Sequence, residues 1–128
     1  GEAGGSDTAS CTATRTAILG IHCCGALSER AIEAFAAIDA DACVLMPCCL
    51  PPKMTAPPLV YATRDQRSQY LAWAGWLCEQ LREAGGGEAA CTCACTIHAD
   101  VVSPRNALVC AARRRSHPTE LPGFDTPH

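Results

Sequence analysis

Two short apolar runs, separated by one helix-length segment, most constrain how this chain can fold. The runs cover 16–22 (Thr-Ala-Ile-Leu-Gly-Ile-His) and 41–46, and most of their positions are apolar. Continuous apolar runs of this length are typical of strands buried on both faces of a parallel sheet. Between them, apolar residues at helical spacing predict a helix over 29–38, with Ser28 as its N-cap. Because parallel strands need a crossover connection, the pattern predicts a strand–helix–strand unit.

The second half of the chain continues this order. A longer helical pattern runs from 64 or 65 to 84, and three consecutive glycines at 85–87 end it. Alternation over 91–101 predicts a third strand, and a turn at 103–106 leads into a fourth over 107–112. The predicted fold class is therefore α/β, ordered strand, helix, strand, helix, strand, strand. The first three strands are expected to be parallel, and the fourth to return antiparallel as a hairpin.

Length and charge narrow the class of protein further. The chain has 128 residues, which fits one small domain. Its 13 acidic residues outnumber 10 Lys and Arg, so binding to nucleic acid mainly through charge is not expected. No run of about 20 apolar residues occurs, so no membrane span is predicted.

We expect a flexible leader over 1–15, a folded region over 16–115, and a disordered or docking tail over 116–128, which contains three prolines.

The 11 cysteines indicate a reducing compartment rather than a disulfide framework. Their number is odd and they include two adjacent pairs, which is a poor basis for disulfides. We therefore expect an intracellular protein of the cytoplasm or an organelle matrix. Structural zinc sites usually show pairs of cysteines two to four residues apart. Only Cys91, Cys93 and Cys95 share a strand face here, and ordinary packing is favoured for them, so no metal site is predicted.

The residues at the ends of the first two predicted strands carry a family resemblance. The first strand ends in Ile21-His22-Cys23-Cys24-Gly25, and the second ends in Pro47-Cys48-Cys49. Together these resemble a branch of the class I S-adenosylmethionine-dependent methyltransferases in which one strand ends His-x-Cys-Gly and the next Pro-Cys-Cys. The branch includes eukaryotic tRNA 2′-O-methyltransferases and methyltransferase-like proteins. The segment 102–109 also resembles the hairpin that closes this fold.

The resemblance implies that the chain forms the C-terminal half of a Rossmann-like methyltransferase sheet, corresponding to strands four to seven. In the family, the first half holds the glycine-rich loop and the acidic residue that bind the cofactor. The glycines at 4–5 and 85–87 follow no predicted strand and open no helix, so they do not match that loop. S-adenosylmethionine is therefore expected to bind only with the missing N-terminal half. That half, or another protein chain, is expected along the exposed edge of the first strand.

The candidate site lies where the first two strands end. Parallel strands place their carboxyl ends on one edge of a sheet, where open α/β sheets bind ligands. His22 is the candidate catalytic residue, because an imidazole with an ordinary pKa of about 6.5 can orient or deprotonate a substrate hydroxyl. The candidate substrate-binding residues are Cys23, Cys24, Gly25, Pro47, Cys48, Cys49 and Lys53. The alternative is that His22 hydrogen-bonds a backbone carbonyl and the cysteines pack; a nucleophilic cysteine is disfavoured because no base is dedicated to it.

Several basic residues are candidates for contact with RNA or an acidic partner. Lys53, the only lysine, follows two prolines in a loop and can contact a phosphate, although a solvated loop charge is the favoured interpretation. Arg105 lies in the closing turn. Arg113, Arg114 and Arg115 follow the last strand and can grip an RNA backbone. They also fit a solvated edge that discourages pairing between sheets.

These sequence features lead to three alternative functions from different classes. The first is a portion of an RNA-directed methyltransferase that is inactive until its other half is supplied. The second is a catalytically inactive scaffold subunit of a large assembly, such as an organellar ribonucleoprotein. The third is a thiol-rich metal or redox module.

Overall fold

The computed structural model describes residues 14–115. The predicted tail and all but the last two residues of the predicted leader lie outside these described residues. No helix within 14–115 is both long and apolar enough to cross a bilayer. The elements, in chain order, are β1 (Ala17–Cys23), α1 (Leu27–Ala37), β2 (Ala42–Pro47), a short 3-10 helix (Pro58–Tyr61), α2 (Gln66–Ala84), β3 (Cys91–Ile97) and β4 (Ala107–Arg113).

The four strands form one mixed sheet in the order β1-β2-β4-β3. β1 and β2 are parallel neighbours, while β4 is antiparallel to both β2 and β3. β1, β2 and β3 therefore run in one direction, as predicted, and the antiparallel pairing of β3 with β4 is confirmed. The coarse α/β class is also confirmed. β4 lies inside the sheet, between β2 and β3, and the sequence pattern gave no sign of that position.

Two element boundaries differ from the prediction, and local hydrogen bonds explain both. The third strand ends at Ile97 rather than 101, because the Val101 amide turns back to donate to the His98 carbonyl. The first helix begins two residues early, at Leu27. Ser28 was expected to cap that helix, but its buried hydroxyl donates instead to the Cys23 carbonyl at 3.3 Å.

Both helices pack against one face of the sheet. α1 contacts β1 and β2, α2 contacts β3 and β4, and the two helices contact each other. The core between helices and sheet is apolar, and its largest fully buried side chains include Trp73, Tyr70, Phe35, Leu45 and Leu77. Burial of this one face supplies the main driving force for folding.

The ends of α2 explain why the long helix stops and starts where it does. Asp65 is the N-cap, and its carboxylate accepts hydrogen bonds from the Ser68 amide and hydroxyl, each at 2.8 Å. These hydrogen bonds lower the pKa of Asp65. At the other end, the Gly85 amide donates to the Leu81 carbonyl at 2.9 Å. The predicted helix over 65–84 is thus confirmed to within one or two residues.

Candidate functional site

β1 and β2 end on the same rim of the sheet, as the candidate site requires. Ile21 pairs with Met46, and the next pairing joins Cys23 to Pro47, so β1 contains one extra residue. That residue is His22, which has a φ of 58° and is exposed. A bulge with a left-handed residue bends a strand and redirects its side chains. The predicted catalytic residue is therefore the bulged residue at the carboxyl end of β1.

Three cysteine sulfurs meet just beyond these strand ends. Cys24 follows β1, and Cys48 and Cys49 follow β2. The sulfur–sulfur distances are 2.7 Å for Cys24–Cys48, 3.2 Å for Cys24–Cys49 and 3.7 Å for Cys48–Cys49. We call this group the rim thiol cluster. The predicted proximity of the two cysteine motifs is therefore present in the structure.

The thiols of the rim thiol cluster are electrostatically unequal. Hydrogen bonds from the Cys48 and Cys49 thiols lower the pKa of Cys24, because they stabilise its thiolate. Burial, followed by the same hydrogen bonds, raises the pKa of Cys48 to about 12. Of the three thiols, Cys24 is therefore the one whose deprotonation the cluster favours.

Cys23 does not join the cluster, although the sequence placed it there. Its side chain is buried on the helix-covered side, and burial raises its pKa. Gly25 adopts a φ of 57° in the turn between β1 and α1, a conformation that favours glycine. Cys23 therefore packs in the core and Gly25 forms the turn after β1, so both shape the end of this strand without joining the rim thiol cluster.

Two side chains hold the segment that carries Cys48 and Cys49 by hydrogen bonds to its backbone. Tyr70 donates from its hydroxyl to the Pro47 carbonyl at 2.8 Å, and Arg105 donates to the Cys48 carbonyl at 2.8 Å. The guanidinium of Arg105 also lies 5.2 Å from the centroid of the Tyr70 ring. Arg105, predicted to contact RNA or a partner, thus also positions the cysteine loop. The helical spacing of the sequence places Tyr70 on the apolar side of α2 but says nothing of the partners of its hydroxyl.

Lys53 lies farther along the same loop and is exposed, in agreement with a solvated loop charge. Its ammonium is 5.8 Å from the centroid of the Tyr61 ring. The Tyr61 hydroxyl donates to the Pro51 carbonyl at 2.6 Å, which fixes the start of the proline-rich segment. A cavity of about 290 Å³ is lined by Gln66, Arg67, Tyr70, Pro104 and Arg105, and it borders the cysteine loop only through Tyr70 and Arg105.

The other candidate arginines lie at the opposite rim. β4 is antiparallel to β2, and Ala112 pairs with Ala42, the first residue of β2. Arg113, which follows, donates to the carbonyls of Ala40, Gly85 and Phe35 at 2.7, 3.1 and 3.2 Å.

The next two arginines of this opposite rim also have partners within the chain. Arg114 donates to Thr92, and Arg115 donates to the carboxylates of Asp41 and Asp39. Arg115 helps to lower the pKa of Asp41, although the Thr16 amide is the larger cause. Contact of these arginines with RNA stays a prediction, and the structure separates them from the cysteine rim.

The cysteines of β3 behave as the sequence analysis favoured. Cys91, Cys93 and Cys95 alternate onto one face of the strand, and the sulfurs of Cys91 and Cys93 are 3.6 Å apart. Cys91 is buried, and burial raises the pKa of Cys93 to about 12. This pair therefore packs as small apolar side chains beneath α2.

Comparison of the chain with family models, with curated proteins and with solved structures finds no match. The functional assignment therefore depends on the residues of the rim and on the sheet that positions them.

Proposed function

We propose that this chain is part of an S-adenosylmethionine-dependent methyltransferase-like domain that acts on RNA and needs a complementary half. One observation carries the proposal. The His22-Cys23-Cys24-Gly25 and Pro47-Cys48-Cys49 motifs, which resemble that family, end neighbouring parallel strands on one rim. This is the rim where open α/β sheets bind ligands.

The closing hairpin of the sheet supports the same proposal. The resemblance implies that the C-terminal half of the domain ends in an antiparallel hairpin, and β3 and β4 pair in that way. The hairpin also delivers Arg105 to the cysteine rim, at the start of β4. Elements from both ends of the described chain thereby contribute to one site.

The uncovered face of the sheet supports the need for a complementary half. Within residues 14–115, β1 pairs only with β2, and both helices lie on the other face. Leu19 and Ile21 of β1 are 72% and 69% exposed. Val44 and Met46, their neighbours on β2, point to the same side and are only half-buried. Exposed apolar patches of this kind usually mark an interaction surface.

In this proposal His22 acts on the acceptor hydroxyl of the RNA. The imidazole would orient the hydroxyl and accept its proton, and S-adenosylmethionine held by the complementary half would supply the methyl group. The rim thiols line the pocket, and Arg105 fixes the loop that carries two of them. The complementary half supplies the groups that bind S-adenosylmethionine.

Calorimetry with S-adenosylmethionine tests the proposal. We expect binding by the complex of this chain with its complementary half, or by a longer protein containing both, and none by this chain alone. In that complex, His22→Ala should retain cofactor binding but slow methyl transfer by roughly 10²- to 10⁴-fold, the usual contribution of a general base. His98→Ala, at an exposed histidine at the end of β3, is the matched control and should leave transfer unchanged.

The alternative function is a catalytically inactive scaffold of the same architecture. It is favoured by the arginines of the opposite rim, whose guanidinium groups are engaged within the fold rather than free for RNA. A complex that assembles but binds no S-adenosylmethionine would support the scaffold and contradict the enzyme.

A further inference from the structure

We propose that the rim thiol cluster, Cys24, Cys48 and Cys49, is a zinc-binding site. These three residues are the group within 14–115 whose potential ligand atoms converge as a metal requires, all lying within 4.8 Å of one another. The site was not expected from the sequence, because two of its cysteines are adjacent and the third is 24 residues away. Only the parallel pairing of β1 and β2 brings them together.

The geometry of the cluster fits a thiolate-bound Zn²⁺ ion. Zinc binds sulfur at about 2.3 Å in tetrahedral sites, which places two ligand sulfurs about 3.8 Å apart. The Cys48–Cys49 distance of 3.7 Å already has this value. Cys24 lies 2.7 and 3.2 Å from the other two sulfurs. Its exposed side chain needs to withdraw by only about 0.6 to 1.1 Å to complete the set.

A disulfide accounts for only two of the three sulfurs. A disulfide joins two sulfurs at about 2.05 Å and would leave the third thiol of this group unpaired. The observed distances of 2.7 to 3.7 Å are too long for such a bond. A single metal ion bonded to all three sulfurs accounts for their mutual approach.

The exposure of the cluster separates it from the packing cysteines. Cys24 and Cys49 are exposed, and Cys48 is half-buried. Cys43 and Cys91, in contrast, are buried among apolar side chains in the core. Packing therefore explains the core cysteines but gives no reason for three sulfurs to converge at a solvent-facing rim.

The backbone beneath two of the ligands is held in place before any metal binds. Arg105 and Tyr70 donate to the consecutive carbonyls of Cys48 and Pro47, each at 2.8 Å. Metal sites depend on such outer contacts, which orient the ligands and are costly to lose. On the other strand, Gly25 makes the turn that presents Cys24 to the same point.

Three protein ligands leave one position of a tetrahedral zinc ion open. Structural zinc sites are closed by four protein ligands, whereas sites with three keep a water or another exchangeable ligand in the fourth position. Since Cys24 and Cys49 are exposed, the open position faces solvent on the cysteine rim. The proposal stands apart from methyl transfer, because its test measures metal binding and not activity.

Metal titration of the reduced chain tests the site. With thiols kept reduced by a phosphine, the chain should bind one Zn²⁺, measured by competition with a chromophoric chelator. Co²⁺ in its place should give the thiolate charge-transfer band and the visible spectrum of a tetrahedral ion. Cys24→Ser and Cys49→Ser should each weaken Zn²⁺ binding by more than the roughly 10- to 100-fold typical of an outer-shell loss. Both positions are exposed, so the fold should survive, which circular dichroism checks.

Cys95→Ser is the matched control, since Cys95 is also an exposed cysteine but lies within β3, outside the cluster. It should leave affinity and the Co²⁺ spectrum unchanged. The proposal is overturned if a chain carrying both Cys24→Ser and Cys49→Ser binds Zn²⁺ with the same affinity as the unchanged chain. It is also overturned if the chain binds Cu⁺ but not Zn²⁺, or if Cys95→Ser removes the binding.

Discussion

Tyr70 shows how one hydroxyl can position a site from inside the core. Its side chain is 1% exposed, and its hydroxyl donates to the Pro47 carbonyl while accepting from the Ala107 amide at 3.0 Å. Burial raises the pKa of Tyr70, so the phenol stays protonated and able to donate. The end of β2 and the start of β4 are joined through this one group.

Tyr70→Phe should therefore destabilise the fold without changing its shape. It leaves a buried amide and a buried carbonyl without partners, and we expect the free energy of unfolding to fall by about 2 to 3 kcal/mol. Tyr61→Phe, which loses a single part-buried hydrogen bond to the Pro51 carbonyl, should cost about 1 kcal/mol. Urea denaturation at low protein concentration measures both. Equal losses in the two variants would contradict the account.

At the opposite rim, Arg113 has a role similar to that of Tyr70, because its side chain also joins several elements. Its side chain is only 12% exposed, and its guanidinium donates to backbone carbonyls of α1, of the end of α2 and of the loop before β2. The guanidinium also lies 4.5 Å from the centroid of the Phe35 ring. Charged donors to buried carbonyls are among the stronger hydrogen bonds in proteins. Arg114, the next residue, has only exposed partners on β3 and the preceding loop.

Replacement of these neighbouring arginines should have unequal effects. We expect Arg113→Ala to lower the free energy of unfolding by about 3 kcal/mol, because several buried carbonyls lose their partner. Arg114→Ala should cost less than about 1 kcal/mol. Thermal or urea unfolding of the two variants measures the difference. A larger loss for Arg114→Ala would show that the guanidinium contacts are misassigned.

At the residue scale, the sequence predicted that Cys24, Cys48 and Cys49 meet at one rim, but not that Cys23 turns into the core. It also did not predict which residues support the rim. The motifs at His22 and Cys48 could be placed together because two parallel strands must end on one side. The roles of Tyr70 and Arg113 could not be predicted, because they depend on where β4 enters the sheet. That position follows from tertiary packing rather than from any local pattern.

At the scale of the elements, the close packing of β1 against β2 depends on the absence of a side chain at Gly20. A Cβ atom at Gly20 would lie 2.5 Å from the Cys23 sulfur and 2.9 Å from Leu45 Cδ2. Real side chains do not approach so closely, so the side chains of Cys23 and Leu45, or the strands that carry them, would have to move. Gly75, within α2, has no neighbour within 4 Å of the corresponding Cβ position.

Alanine at the two glycines should act in opposite directions. Gly20→Ala should lower the free energy of unfolding by about 1 to 3 kcal/mol through overpacking. Gly75→Ala should raise it by about 0.5 to 1 kcal/mol, because alanine is the better helix former and has room. Denaturant titration measures the free energy of unfolding of both variants. Stabilisation by Gly20→Ala would show that β1 does not pack against Leu45 as described.

Element types were predictable because each has a clear period, while element ends were not. The runs of β1 and β2 and the spacing of α2 identify those elements almost to the residue. Ser28 was assigned as a cap by its type, yet the turn at Gly25 brings its hydroxyl to the Cys23 carbonyl. The third strand stops early because His98 and Asn106 exchange hydrogen bonds that close the hairpin at that point.

For the molecule as a whole, the sheet is covered on one side only within the described residues. Leu19 and Ile21 stand on the open face, next to an edge strand that pairs on one side. Such an edge and face favour association with another chain. In the proposed methyltransferase-like domain, the complementary half would occupy both.

Without that half, the chain should associate in solution. Sedimentation velocity is expected to show concentration-dependent assembly, and Ile21→Glu should reduce it by placing charge on the open face. Met54→Glu, which changes an exposed methionine in the loop after β2 rather than in the sheet, should have no effect. A monodisperse, cooperatively unfolding monomer at every concentration would count heavily against an incomplete sheet.

The central claim is that β1 and β2 are parallel neighbours that bring their cysteines to one rim. Disulfide mapping tests it most directly. In a Cys49→Ser chain, mild oxidation with diamide, alkylation of free thiols and peptide mass spectrometry should identify Cys24 linked to Cys48 as the predominant pair, since their sulfurs are 2.7 Å apart. If Cys24 instead stays free, or pairs with Cys95 or Cys110, the two strands do not end together and the account is contradicted.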